Sequence, residues 1–447
     1  KPASELYGAY LALVYAGAIF GGYVADKLIG YQRSILLGAV VMSAGLFLLA
    51  SPTESMFKLG LATIIVGNGL FKPIISTMVG KLYAQGDERR DSGFTIFYMG
   101  INLGALLAPL VTQYLAKKIF GIEDMPAYKI VFISAGIGML LSLVWFWLGR
   151  GQLKGIGLPA PHQAGLRNVS LVLLFGVLVG IPLFYALLTI DAGLLQGILM
   201  ALFVIPAIML LREGVVEGQV SRDKVMAMLT IFVFNVLFWM FFEQAGSSFN
   251  FLADKIVDRD IGMQGLFQAL AGTNDFPVSW FQSVNSVAII ALAPVLAWLW
   301  VKMGKNNPII PRKFGLGLIF NGLAFLLLMV ALSSMVDDAG KIPFWTLFMV
   351  YVIQSVGELC LSPIGLSMTS KLAPARLGGL AMGCWFLSIA IGNNLAGIFA
   401  GKVSGEGGMT VASAHAGYTF GFYALVGSGV VLFLIAPLIQ KWMHGVK

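Results

Sequence analysis

Thirteen stretches of the chain are apolar enough and long enough to cross a lipid bilayer as α-helices, and no other feature limits the possible folds as strongly. A helix that spans the hydrocarbon core needs about 20 mainly apolar residues. The stretches lie at residues 5–25, 34–51, 57–84, 93–116, 127–149, 166–190, 192–211, 225–252, 279–302, 314–335, 344–371, 377–401 and 417–440. They are too long for the strands of a membrane β-barrel and lack the alternation of apolar and polar residues typical of such strands. The sequence therefore predicts an all-α integral membrane protein.

Composition indicates a lipid partner and argues against a nucleic-acid partner. Apolar residues make up 58% of the 447 positions and charged residues only 11%, whereas soluble domains are about half apolar and about a quarter charged. The net charge of +8 comes from basic residues in short loops, where such residues set the topology of a membrane protein. We therefore expect a bilayer and no nucleic acid. The sequence carries no signal for an oligomeric state.

The loop charges also predict an orientation. With the 26–33 loop in the cytoplasm, about twice as many Lys and Arg residues fall on the inner side as on the outer side, as the positive-inside rule requires. This threading places the C-terminus in the cytoplasm and Lys1 outside. One preceding helix would bring the N-terminus inside. We therefore expect the full fold to have a first helix that this chain lacks.

The chain shows signs of internal repetition. The loop at 22–33 and the region at 297–315 both place glycine and basic residues between two apolar stretches. Two similar halves resemble the plan of the major facilitator architecture. On this plan residues 1–150 form an N-terminal bundle (helices 2–6 of the full fold) and residues 222–447 a C-terminal bundle (helices 7–12). Residues 151–221 hold an inserted helix pair with its linkers.

Three ionisable residues, Lys72, Glu243 and Glu358, lie deep inside the apolar stretches. A lysine at the centre of a membrane helix costs roughly 2.5–3.5 kcal/mol on insertion scales. Lys72 and Glu358 lie near the middle of their stretches, and Glu243 lies about 6 Å beyond the middle of its own. An ion pair that only stabilises the bundle is the alternative, but isolated central charges stabilise packing poorly. The three residues are therefore candidate functional groups.

Polar and aromatic residues occur at similar depth, and together with the charges they predict a substrate site. Trp239, Phe242 and Glu243 follow the i, i+3, i+4 spacing of one helical face. The other members of the set are Tyr15, Tyr98, Asn102, Asn285, Ser362 and Trp385. Each aromatic residue alone is as well explained by helix packing. A cation on one wall and a carboxylate on the other suit a zwitterion such as an amino acid or a peptide.

Other classes of membrane protein find less support. An intramembrane enzyme needs a nucleophile with a base, or a metal site, inside the apolar stretches. The three histidines, His162, His415 and His444, are scattered over loops and the tail, and we expect Cys360 and Cys384 to be free thiols. We therefore expect no enzymatic activity, no metal and no cofactor. A channel would need a repeated filter sequence, and none is present. A carrier of nitrate, drugs or sugars remains an alternative, although the Lys72 and Glu358 charges disfavour a neutral sugar.

Two motifs resemble those of a known family. Residues 97–106, FYMGINLGAL, are similar to the F-Y-x-x-I-N-x-G-[SA]-L signature of the proton-dependent oligopeptide transporter family of the major facilitator superfamily. Residues 21–30, GGYVADKLIG, resemble its second signature, and residues 242–244 and 354–359 resemble its seventh and tenth helices. The resemblance implies two six-helix bundles plus two extra central helices, as in bacterial members. It also implies proton-coupled uptake of di- and tripeptides by alternating access, in the bacterial inner membrane.

The resemblance assigns roles to individual residues. Lys72 matches a lysine of the fourth helix, and Glu358 matches a glutamate of the tenth helix that faces the peptide amino group. Glu243 matches a carboxylate of the seventh helix that is linked to proton coupling and gating. The substrate-binding residues that it implies are Tyr15, Lys72, Tyr98, Asn102, Trp239, Phe242, Asn285, Glu358, Ser362 and Trp385. The family's E-x-x-E-R motif, which belongs to the first helix, does not occur here, as the expected preceding helix would explain.

Overall fold

The computed structural model describes residues 3–83, 89–121, 127–163, 165–374, 377–405 and 407–446. Over these residues it has thirteen helices that are long and apolar enough to cross a membrane. In the part of the chain that the structure describes, a single β-bridge joins Val257 and Ile342. The predicted all-α membrane class is therefore confirmed. The chain divides into two compact units, the second of which begins its main part at Ala192.

The first unit comprises residues 9–101 and 112–191. The helices that have most of their residues in it are α1 (Ala3–Val24), α2 (Tyr31–Leu49), α3 (Glu54–Lys81), α4 (Arg89–Gln113), α5 (Tyr128–Gly149), α6 (Leu166–Phe175) and α7 (Ile181–Thr189). Short π-helical turns extend α1 over Ala25–Ile29 and α4 over Tyr114–Ile119, and a third, Gly176–Gly180, joins α6 to α7.

Glycines let α2 and α3 approach each other closely. A methyl group added at Gly60 would lie 2.8 Å from the Gly45 carbonyl oxygen, and one added at Gly67 would lie 2.8 Å from the Gly38 carbonyl oxygen. Helices in lipid gain little from hiding apolar surface from one another, so they associate through close packing at small residues. The two glycine pairs therefore hold α2 against α3 and fix the position of Lys72 on α3.

The second unit comprises residues 2–8, 102–111 and 192–447. Its main helices are α8 (Ala192–Glu217), α9 (Gln219–Phe242), α10 (Ser248–Lys255), α11 (Gln264–Ala271), α12 (Trp280–Met303), α13 (Ile310–Ser334), α14 (Phe344–Leu372), α15 (Gly378–Ser404) and α16 (Val411–Trp442). Asn394 of α15 donates hydrogen bonds to the Ala192 carbonyl oxygen at 3.0 Å and to Gln196 at 2.9 Å, which attaches α8 to this unit. The predicted three-part division at residues 150 and 221 stays a prediction.

One predicted span contains a turn. The stretch at 225–252 lies within a single candidate span, Gln219–Lys255. Within it α9 ends at Phe242, a 3₁₀ turn covers Glu243–Gly246, and α10 begins at Ser248. Buried Gln244 supports this break, because its amide donates to the carbonyl oxygens of Met240 at 2.9 Å and Ala396 at 3.1 Å. The Tyr351 hydroxyl donates to the Ala245 carbonyl oxygen at 2.9 Å. A backbone break at membrane depth is tolerated where protein groups bond the freed carbonyls.

A substitution in the α2–α3 contact tests this packing. We expect Gly67→Val to lower the free energy of unfolding by about 1–3 kcal/mol, because the added carbons meet the Met42 backbone and the Gly38 carbonyl. Gly138→Val is the control, since nothing lies within 4 Å of a methyl group added there. Thermal unfolding in detergent, followed by circular dichroism, measures both variants. Equal melting temperatures for the two would contradict the packing argument.

Candidate functional site

In the first unit, Lys72 of α3 lies beside Tyr15 of α1. The Lys72 Nζ is 4.8 Å from the centroid of the Tyr15 ring. A cation over an aromatic face gains about 0.5–1 kcal/mol when exposed and about 2 kcal/mol when desolvated. The Lys72 side chain is exposed, and it makes no ion pair with any residue in the described ranges. The structure therefore brings two predicted site residues, Lys72 and Tyr15, together. The Lys72 charge contacts an aromatic ring and, among the described residues, no carboxylate.

In the second unit, Glu358 of α14 is held by the amide of Asn285 from α12. The Asn285 Nδ2 donates to the Glu358 Oε2 at 3.1 Å and to the Ser355 Oγ at 2.8 Å. Ser355 is buried and in turn donates to the Tyr351 carbonyl oxygen at 2.7 Å. The Ser362 hydroxyl, one turn after Glu358, is buried and has no hydrogen-bond partner among the described residues. These groups form a polar site on α12 and α14.

Trp239 and Phe242 form an aromatic group on the last turn of α9. Their ring centroids are 5.4 Å apart in an edge-to-face arrangement. The Trp239 indole Nε1 donates to the Asn235 Oδ1 at 3.1 Å, and the Asn235 Nδ2 donates to the Ser388 Oγ of α15 at 2.8 Å. Both Asn235 and Ser388 are fully buried. The indole ring is therefore oriented by a hydrogen-bonded chain that reaches a second helix.

The sequence reasoning did not include Ser355, Asn235 and Ser388 among the site residues. Asn235 bonds between helices through its amide nitrogen, and its side-chain oxygen also orients Trp239. The available signal was spacing: Ser355 precedes Glu358 by three residues and Asn235 precedes Trp239 by four, which places each pair on one helical face. Ser388 has no such signal, because only the packing of α15 on α9 brings it to Asn235.

Trp385 of α15 lies inside the second unit. Its side chain is 3% exposed, and its ring centroid lies 5.6 Å from that of Phe232 and 6.4 Å from that of Phe314. Its ring occupies the space that a side chain at Gly365 would need. The tryptophan thus packs helices together. Its predicted contact with substrate stays a prediction.

Glu243 lies directly after the last residue of α9, in the 3₁₀ turn, and is half-buried. Its backbone carbonyl oxygen accepts a hydrogen bond from the Ser247 hydroxyl at 3.0 Å. The predicted single helical face of Trp239, Phe242 and Glu243 therefore ends where the helix ends. Glu243 is placed at a break in the backbone and not within a rigid helix, which is a suitable place for a group that responds to a conformational change.

Tyr98 and Asn102 lie one turn apart on α4, as predicted. The Tyr98 side chain is 40% exposed, whereas Asn102 is 8% exposed. Within the described residues, no three His, Cys, Asp or Glu side chains are grouped as they would be around a metal ion. Cys360 and Cys384 are buried free thiols.

Removal of the Asn235 amide tests the hydrogen-bonded chain. We expect Asn235→Leu to lower the free energy of unfolding by about 1 kcal/mol, because the Trp239 indole and the Ser388 hydroxyl each lose a partner. Asn306→Leu is a matched control in the exposed turn after α12. Chemical unfolding in detergent compares the two variants. An unchanged stability of the Asn235 variant would show that the hydrogen bonds from Trp239 to Asn235 and from Asn235 to Ser388 do not stabilise the protein.

Comparison with known proteins agrees with this architecture. The sequence profile described as PTR2, POT family, matches residues 32–407. The chain is 35% identical over 451 residues to the uncharacterized transporter YclF of Bacillus subtilis, covering 99% of this chain and 87% of that protein. It is 34% identical over 456 residues to dipeptide and tripeptide permease A of Proteus mirabilis, covering 98% and 87% of the two chains.

A solved structure shares the fold. The crystal structure of a peptide transporter POT in complex with sulfate superposes with a TM-score of 0.83 at 34% identity, covering 99% of this chain and 87% of the other. A match of this quality over nearly the whole length confirms the major facilitator fold that the sequence motifs predicted. The profile match over most of the chain, the two relatives and the shared fold establish that this multi-span membrane protein belongs to the POT family.

Proposed function

We propose that this protein is a proton symporter that brings di- and tripeptides into the cell by alternating access. It would lie in the bacterial inner membrane with its C-terminus in the cytoplasm. The observation that carries the proposal is the pair of membrane-embedded charges, Lys72 and Glu358, in a chain of the POT family. A relative named as a dipeptide and tripeptide permease supports the substrate class.

A peptide offers one carboxylate and one ammonium group, and each unit of the chain has a group suited to one of them. Lys72 has the Tyr15 ring beside it and no carboxylate partner among the described residues, so its charge can bind a peptide carboxylate. Glu358 is bonded by a neutral amide, which stabilises a carboxylate without compensating its charge. A peptide ammonium would supply that compensation through charge-assisted hydrogen bonds.

Side-chain tolerance fits the aromatic surroundings. Tyr15 lies beside Lys72 in the first unit, and Trp239 and Phe242 form an aromatic pair in the second unit. Aromatic faces accept many apolar side chains, because the gain from burial depends on area more than on shape. The charged groups thus recognise what all short peptides share, and the rings accept what differs among them.

Proton coupling is assigned to Lys72, Glu358 and Glu243. Protonation of a membrane-embedded carboxylate removes a charge, and removal of a charge changes which state of the transporter is favoured. Entry of a proton with a net-neutral peptide moves one positive charge inwards. A membrane potential then contributes about 2.3 kcal/mol per charge per 100 mV to uptake. The proton is the only coupling ion that the proposal needs, and no cofactor is involved.

Substitution of the two embedded charges tests the peptide site. We expect Lys72→Ala and Glu358→Gln each to reduce proton-driven dipeptide uptake into vesicles at least about tenfold, since each removes one contact to a peptide terminus. Lys129→Ala, at the exposed start of α5, is the control and should transport normally. Free amino acids should compete poorly with dipeptides. Normal concentrative uptake by the Lys72 variant would contradict the proposal.

Glu243→Gln separates proton coupling from peptide binding. The amide keeps the shape of the carboxyl group and mimics its protonated form, so peptide exchange between the two sides of a vesicle should persist. Accumulation against a gradient should fall to near equilibrium. Counterflow and proton-driven uptake, measured on the same reconstituted variant, compare the two activities. Loss of both together would indicate a purely structural role, and intact accumulation would remove Glu243 from the coupling mechanism.

A further inference from the structure

A long part of the second unit contains basic residues and no acidic ones. Between Asp275 and Asp337 the chain has no Asp or Glu, yet Lys302, Lys305, Arg312 and Lys313 all fall within twelve positions at the turn between α12 and α13. The positive-inside rule accounts for basic residues in such a turn, but acidic residues matter little to it. It therefore does not explain why no carboxylate accompanies them. We call these four residues the α12–α13 basic cluster.

Aromatic rings, and no carboxylates, contact the cluster. The Lys302 Nζ lies 4.5 Å from the Trp298 ring centroid, and the Lys313 Nζ lies 5.0 Å from that of Trp300. The Arg312 guanidinium carbon lies 5.1 Å from the Phe433 ring centroid of α16. No described residue forms an ion pair with any of the four. The rings orient Lys302, Arg312 and Lys313 and do not neutralise their charges.

Arg312 also has an unmet hydrogen-bonding demand. Its Nε is buried and donates to no described group. A buried donor without a partner costs about 1–3 kcal/mol, and more when the group is charged. No described residue therefore accepts a hydrogen bond from this nitrogen, and the rest of the guanidinium has no carboxylate partner among the described residues.

Another basic segment of the same unit shows the usual arrangement. Lys255 and Arg259 both approach Asp254, with nitrogen-to-oxygen distances of 3.1 and 3.9 Å. Asp254 therefore compensates their charges within the chain. The α12–α13 basic cluster differs from this segment because no described residue forms an ion pair with it, although both lie at the ends of membrane-spanning helices.

The surface next to the cluster is apolar and exposed. On the last two turns of α12 the Trp298 side chain is 57% exposed and that of Val301 is 82% exposed. Helix α12 crosses the membrane by length and composition, so this face meets acyl chains. Tryptophan at a helix end is typical of the headgroup level of a bilayer. The uncompensated cations are thus next to a surface suited to lipid tails.

We propose that the α12–α13 basic cluster is a binding site for the headgroup of an anionic phospholipid. The lipid phosphate would accept hydrogen bonds from Lys302, Lys305 and Arg312, and its acyl chains would lie along Trp298 and Val301. A soluble anion would satisfy the charges but not the apolar face. A nucleic acid would not reach this depth in the membrane and would not contact the apolar surface. This site is separate from the proposed peptide site and does not depend on it.

Tryptophan quenching by brominated lipids tests the proposal on the reconstituted full chain. Vesicles of phosphatidylcholine receive either brominated phosphatidylglycerol or brominated phosphatidylcholine, and the Trp298 signal is isolated by subtraction of the Trp298→Phe variant. We expect phosphatidylglycerol to quench Trp298 at a roughly tenfold lower mole fraction, because each basic residue near a membrane surface adds about fivefold to anionic-lipid binding. Trp345, 49% exposed at the start of α14 near two aspartates, is the reference and should show no preference.

Substitutions of the basic residues test whether the cluster causes the preference for phosphatidylglycerol. The double variant Lys302→Gln/Lys305→Gln should lose most of the preference, whereas Lys302→Arg/Lys305→Arg and the distant control Lys255→Gln should retain it. Excess inorganic phosphate should leave quenching unchanged. The proposal is overturned if the two lipids quench Trp298 of the unaltered protein equally, if the glutamine variant keeps its preference, or if inorganic phosphate abolishes it. The first comparison leaves the four basic residues unaltered, and the circular dichroism spectrum of the Trp298→Phe variant shows whether this subtraction control is folded.

Discussion

The interior of a bilayer has no water for a polar group to bond, and the rest of this structure depends on that constraint. Backbone N–H and C=O groups bond to one another inside helices. At the break after Phe242, Gln244 and Tyr351 donate hydrogen bonds to nearby carbonyl oxygens and so stabilise the turn. Glycine pairs such as Gly38 and Gly67 hold helices at close range, since lipid gives them no hydrophobic reason to associate. A polar residue at this depth therefore needs a partner or a function.

Several charged residues have no oppositely charged partner among the described residues, and these are the residues to which we assign functions. Lys72 has an aromatic ring beside it and Glu358 has an amide, so neither charge is neutralised by a described residue of its own unit. The α12–α13 basic cluster repeats the arrangement at a helix end, with tryptophan rings in place of carboxylates. In both places a neutral partner contacts the cation or anion without neutralising its charge, as the proposed peptide and lipid sites require.

The candidate site residues could be selected from the sequence because depth and charge are both readable from it, and their role in transport stays a prediction. Lys72, Glu243 and Glu358 stand out in apolar stretches, and a cost of a few kcal/mol makes such residues rare unless they act. Spacing along one helix also made it possible to place Trp239 beside Phe242. The packing role of Trp385 could not be predicted, since it depends on Gly365 of another helix. Ser388 was missed for the same reason, because no periodicity connects α15 to α9.

The sequence by itself determined the number of spanning helices, the membrane class and the identity of the embedded charges, because hydrophobic length and charge are local properties of a chain in lipid. Only the tertiary structure decided where a helix stops inside the membrane. The stretch at 225–252 is apolar enough to continue as one helix, yet α9 ends at Phe242, next to the place where Gln244 donates to the carbonyl oxygen of Ala396 on α15. Hydrogen bonds of this kind join residues that are distant in the chain, and only folding brings those residues together.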